Sequence, residues 1–210
     1  VNLFFFDFDR TLYAYDFRYR LPELSRLSGV SQYALAKSWW AAGFERRAEA
    51  GEWPAPDEYL DEFARVTGGR RLSLEEWTFA RSLAMSRMEG GMRALRRASE
   101  LGVACLLSNN PSPLRAALPV LAPDVVEVLG ENVLVSVDLG ARKPSADIFS
   151  RALARFDAVP EDAFLADDTA ANVEGARAIG MHAHHLAYID GTPQTDALYA
   201  AVERFARRNG

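Results

Sequence analysis

One cysteine stands in 210 residues, which excludes an internal disulfide and fits a reducing compartment. Its neighbours, Val103-Ala104-Cys105-Leu106-Leu107, make it a small core side chain rather than a reactive thiol. No apolar run approaches the roughly 20 residues that a membrane-spanning helix needs. A basic segment followed by an apolar one is also missing from the first residues. No signal peptide is therefore expected, and the reading is a cytoplasmic protein. Basic excess is absent too: 24 Lys and Arg against 29 Asp and Glu leave a formal net charge of −5. That balance favours neither a nucleic-acid nor an anionic-membrane partner. Internal repeats and low-complexity tracts are lacking. What is present is an ordinary globular composition, in a chain long enough to bury a real core in one or two domains.

Short apolar runs at Leu3–Phe6, Val103–Leu107, Val133–Ser136 and Ala163–Ala166, together with His182–His185, read as strands, each ending in polar or acidic residues. Helical patterns at Gly91–Leu101, Leu114–Leu121, Ser145–Phe156, Ala170–Ile179 and Thr195–Arg208 alternate with them. This alternation predicts an α/β fold, a Rossmann-like parallel sheet. Residues 14–88 break it. Turn signals at Ser28-Gly29, Pro54-Ala55-Pro56-Asp57 and Thr67-Gly68-Gly69 separate helix-like stretches at Tyr33–Glu49, Asp57–Val66 and Leu74–Met88. The expected organisation is a core domain of residues 1–13 and 89–210, with a helical domain of residues 14–88 inserted. In that insertion Trp39, Trp40 and Phe44 are expected to form the interior, with Arg18, Arg20, Arg46 and Arg47 solvated.

Four clusters follow four predicted strands: Asp7/Asp9/Thr11, Ser108-Asn109-Asn110, Lys143-Pro144 and Asp167-Asp168. All fall at the carboxyl edge of the sheet, where open α/β folds bind ligands. Strand alternation would point Asp7 and Asp9 the same way, and two such carboxylates repel unless a cation or a shared proton intervenes. These residue types suit phosphoryl transfer through an aspartyl intermediate. One carboxylate attacks phosphorus, and a second moves the proton. An oxygen-rich pocket suits Mg²⁺, and Ser108 and Lys143 can stabilise the transferring oxygens.

In this order the clusters resemble the motifs of the haloacid dehalogenase (HAD) superfamily. Asp7-Phe8-Asp9-Arg10-Thr11 is similar to the first motif, Ser108-Asn109 to the second and Arg142-Lys143-Pro144 to the third. Asp167-Asp168-Thr169-Ala170-Ala171-Asn172 is similar to the fourth. The resemblance implies Asp7 as nucleophile and metal ligand. It implies Asp9 as acid/base, with its backbone carbonyl on the metal, and Asp168 as completing the metal shell. Thr11 would steady the turn at the substrate side, Ser108 and Asn109 would bind phosphate, and Lys143 would pair with both phosphate and nucleophile. Asp167 and Asn172 would orient water or ligands. Insertion between the first and second motifs resembles a C1-type helical cap. Many members carry glycine where this chain has Arg10, which would alter the turn or set a cation at the entrance.

The resemblance implies a Mg²⁺-dependent phosphomonoesterase acting on a small soluble phosphate ester, such as a sugar phosphate or nucleotide. Its rivals are a phosphomutase, a metal-independent haloacid dehalogenase and a non-catalytic binding module. Asp9 speaks against the dehalogenase, which has no evident use for an acid there. His182, His184 and His185 look like a metal cluster, but alternation sends His185 to the opposite face from the other two.

Overall fold

The structure, a computed structural model, describes residues 2–208. Nine strands are defined among these residues: β1 (Leu3–Phe6), β2 (Tyr13–Tyr15), β3 (Met85–Arg87), β4 (Val103–Ser108), β5 (Val133–Val135), β6 (Ala163–Asp167), β7 (His182–His185), β8 (Tyr188–Ile189) and β9 (Thr192–Pro193). Five of them form one parallel sheet in the order β5-β4-β1-β6-β7, with β1 in the middle. The α/β, Rossmann-like reading therefore holds.

Both faces of the sheet are covered, which is why β1 is apolar at every position. Phe4 and Phe6 join a core with the Glu89–Leu101 and Thr195–Ala206 helices. Leu3 and Phe5 point the other way, into a second core with the Ala146–Ala154 and Ala170–Ala178 helices. Cys105 is buried in that second core. No helix among the described residues is long and apolar enough to cross a membrane.

Between β1 and β4 the chain is mostly helical, as expected, but two stretches differ from the sequence reading. Tyr33–Glu49 is not one helix. It divides into a short helix at Gln32–Leu35, a π-helical stretch at Ala36–Ala41 and a helix at Phe44–Glu49, with Gly43 at a φ of 85° marking the break. Leu74–Met88 is not one helix either. It ends at Ser82, and Met85–Arg87 becomes β3, paired antiparallel with β2. An apolar Leu83-Ala84-Met85 run fits helix or strand; the available partner strand decides.

Trp39 is fully buried against Phe44, Trp53, Tyr59 and Phe63, so these aromatics do form an interior. Arg46 and Arg47 are exposed. Arg20 corrects the expectation of solvated arginines. It shares the buried face of the Phe17–Ser28 helix with Leu24 and Ser28, at i, i+4 and i+8. Its guanidinium lies 4.6 Å from the Trp77 ring centroid and donates to the Tyr15 hydroxyl at 3.2 Å.

Candidate active site

The four clusters converge at the carboxyl edge around β1. The Asp7 amide still continues the ladder, donating to Ala166 at 2.9 Å. β1 itself ends at Phe6, so alternation is not what orients Asp9. The chain turns instead: Leu12 and Tyr13 amides donate to the Phe8 carbonyl, and the Arg10 amide donates to Tyr13. This turn needs a left-handed residue, and Arg10 supplies it at a φ of 61°. Glycine would be the strain-free choice.

A cavity of about 530 Å³ opens above this turn, with Asp7, Asp9, Arg10, Asn109, Lys143 and Asp168 in its wall. Lys143 is 1% exposed, and its ammonium lies 3.0 Å from Asp7 Oδ1 and 2.6 Å from Asp167 Oδ2. Burial disfavours the ammonium charge, yet Asp167 and Asp7 more than offset this, and the lysine pKa is raised. Asp167 is fully buried, accepting from the Thr169 amide at 2.8 Å and from Asn172 Nδ2 at 3.0 and 3.1 Å. Its carboxylate thus ties β6, the following helix and Lys143 together.

Asp7, Asp167 and Asp168 each offer a carboxylate oxygen within 4.8 Å of the others. Burial pushes the Asp7 carboxyl up to about 8, with Lys143 opposing and Asp167 and Asp9 adding to the rise. Asp168 is raised too, by burial and then by Asp167, against the pull of Arg10. Hard oxygen donors crowded beyond what nearby cations neutralise fit a divalent ion such as Mg²⁺. The Asp9 carboxylate stands apart from this trio. One of its oxygens pairs with Arg81 and the other accepts from Asn110 Nδ2 at 3.1 Å.

Three expected phosphate or substrate contacts sit differently. Thr11 is fully buried under the turn, so its side chain does not reach the cavity. The Ser108 hydroxyl, also buried, accepts from Asn110 Nδ2 at 2.8 Å. Asn109 spends its side-chain amide on the Lys143 backbone, donating at 2.9 Å and accepting at 2.8 Å, and so fixes the turn that carries the lysine. Asn110, unassigned from sequence, is the member of that cluster whose side chain meets Asp9. Of the histidines, His185 faces away from the other two as expected, with Nε2 2.9 Å from the Asp168 carbonyl.

Arg10 bridges to Asp168, Nε to Oδ2 at 2.9 Å, with its guanidinium 4.5 Å from the Tyr188 ring centroid. The Tyr188 hydroxyl donates to the Arg10 carbonyl at 2.7 Å. Arg81 was invisible to sequence reasoning, because an arginine on an amphipathic helix looks like part of its solvated face. It is instead buried, with its guanidinium 4.0 Å from the Tyr15 ring centroid.

A family model described as haloacid dehalogenase-like hydrolase matches residues 1–180. The chain belongs to that family. It is a HAD-like hydrolase, as its four motifs suggested. Solved structures share the fold at low identity. A HAD family enzyme, bt-2542 from Bacteroides thetaiotaomicron, in complex with magnesium and inorganic phosphate, has 18% identity and a TM-score of 0.74, over 88% of this chain and 93% of that one. A predicted HAD-like family hydrolase from Porphyromonas gingivalis has 21% identity and a TM-score of 0.72, over 88% and 90%. An L-2-haloacid dehalogenase from Xanthobacter autotrophicus, with chloropropionic acid covalently bound, has 15% identity and a TM-score of 0.62, over 90% and 79%.

Proposed function

We propose that this hydrolase is a Mg²⁺-dependent phosphomonoesterase acting on a small soluble phosphate ester, a sugar phosphate or a nucleotide. The observation that carries the reading is the second carboxylate: Asp9 lines the same cavity as Asp7 while its side chain stays outside the acidic trio. A carboxyl group kept outside the trio, and aimed into the cavity by Arg81 and Asn110, suits proton transfer, for which a haloacid dehalogenase has no evident need. The neighbour bound to magnesium and phosphate adds support for phosphate chemistry.

Asp7 and Asp168 would hold the metal, together with the Asp9 carbonyl, while Asp167, tied to Lys143 and Asn172, would orient that shell. When bound, Mg²⁺ screens these carboxylates from an anionic phosphate and draws charge from its oxygens. Asp7 then attacks phosphorus, forming an aspartyl phosphate as the bond to the leaving oxygen breaks. Asp9 delivers its proton to that oxygen. In the second step Asp9 takes a proton from water, whose oxygen attacks phosphorus and releases Asp7 and inorganic phosphate. Lys143 steadies Asp7 and meets the phosphate charge. Residues 14–88 act as a cap over the core of residues 1–13 and 89–210. Glu49 reaches Arg142 at 2.8 Å, and the Ser112 hydroxyl donates to the Trp53 carbonyl at 2.9 Å, so contacts already cross that boundary. A reducing cytoplasm suits the lone, buried Cys105.

The test is a panel of phosphate esters with and without Mg²⁺, run on wild type and Asp7→Asn. Mg²⁺-dependent release of inorganic phosphate, lost in the folded variant, is expected. Retained turnover in Asp7→Asn would rule out the covalent route, and delivery of phosphate to a second hydroxyl would make the protein a mutase.

A further inference from the structure

We propose that Arg81 is a positioning residue for Asp9, so that the helical segment and the core jointly aim the proton-transfer group. This rests on the phosphatase reading above, and it assigns a residue outside the four motifs.

Arg81 sits in the last turn of the Leu74–Ser82 helix, on its buried face with Trp77 and Ala80. A buried guanidinium is costly unless paired, and Asp9 is the carboxylate that pairs with it among the described residues. The pairing is held from behind by a closed ring of contacts. Arg81 lies over Tyr15, Tyr15 accepts from Arg20, and Arg20 lies over Trp77, one helical turn before Arg81. Arg81 therefore has little freedom of its own, and neither does the oxygen it grips. Asn110 holds the other Asp9 oxygen from the core side, and its Nδ2 is itself tethered to Ser108. One carboxyl group is thus fixed by two anchors that belong to different parts of the chain.

The consequence differs between substrates. An alkyl phosphate loses a basic alkoxide, which needs the Asp9 proton as its bond to phosphorus breaks. p-Nitrophenyl phosphate loses a stable phenolate, which needs none. In kcat/KM, which ends at loss of the leaving group and so excludes the later attack of water, a misdirected Asp9 should slow the first and spare the second, whereas general damage to the fold should slow both.

The experiment compares kcat/KM for the best alkyl phosphate of the panel and for p-nitrophenyl phosphate, in wild type, Arg81→Met and Arg81→Lys. Methionine keeps an apolar stem against Tyr15 without the charge; lysine keeps the charge and carries the comparison alone if the methionine variant does not fold. Arg81→Met is expected to lose about a hundredfold on the alkyl ester, with little change on the aryl ester and partial recovery in Arg81→Lys. Equal losses on both substrates, or none on either, would overturn the positioning role while leaving the phosphatase reading intact. A wild type that hydrolyses neither ester, or an Asp7→Asn variant that still does, would instead remove the phosphatase reading and this role with it.

Discussion

The Lys143 ammonium is held between Asp167 at 2.6 Å and Asp7 at 3.0 Å, in a place where neither the lysine nor the Asp167 side chain meets solvent. Removing the cation leaves buried carboxylates facing each other. Lys143→Met should therefore lose about 3–5 kcal/mol in urea unfolding. Asp167→Asn added to that variant should recover part of the loss, because one of the stranded charges goes. A double variant no more stable than the single one would contradict this account.

Arg10 combines a left-handed backbone with two side-chain contacts. Arg10→Ala and Arg10→Gly lose the same contacts to Asp168 and Tyr188, but only glycine relieves the backbone. The glycine variant should be more stable than the alanine variant by about 1 kcal/mol. Equal stabilities in denaturant titration would show that the turn stores no strain at Arg10.

Gly175 faces the turn that carries Lys143. A Cβ there would lie 2.4 Å from the Pro144 carbonyl oxygen and 3.0 Å from the Pro144 Cβ. Gly175→Ala must push that backbone aside, at about 1–3 kcal/mol of stability. Displacement of Lys143 should lower kcat as well, measured on any ester the wild type accepts.

Burial pushes the Glu49 carboxyl from 4.5 up to about 7, helped by Glu45 and opposed by Arg142. Between those values the folded protein holds a proton that the unfolded chain has lost. Stability from this group is therefore fully present below 4.5, falls as pH rises and levels off above about 7. Melting temperatures of wild type minus Glu49→Gln should decline across that window. A flat difference would count against the buried, protonated carboxyl.

Burial also raises the Cys105 thiol well above its ordinary range. Thiol reagents at mildly alkaline pH should leave the native protein unlabelled and titrate one thiol in denaturant.

The sheet was legible because β1, β4 and β6 are short apolar runs that stop at polar residues, a pattern set by two-sided burial. The site was legible for the same reason: its acids and its lysine follow strand ends, and parallel topology gathers those ends. Side-chain direction within the clusters was not. Thr11, Ser108 and Asn109 have suitable chemistry at suitable positions, yet Thr11 is buried under its turn, and Ser108 and Asn109 turn toward neighbouring chain through local hydrogen bonds. Arg81 and Asp9 are 72 residues apart, and their meeting depends on how the Leu74–Ser82 helix is rotated against the core. That rotation is a property of packing, and the local pattern around Arg81 reads equally well with the arginine in water.

The β2–β3 ribbon has a consequence for how such a protein could be rebuilt. With the two strands side by side and the Asp16 amide 2.9 Å from the Ala84 carbonyl, the chain departs from the sheet and rejoins it through one narrow gateway. A splice there would need only a hairpin turn. Foreign sequence of very different length could equally be grafted between Asp16 and Ala84, and the parallel strands would keep their register.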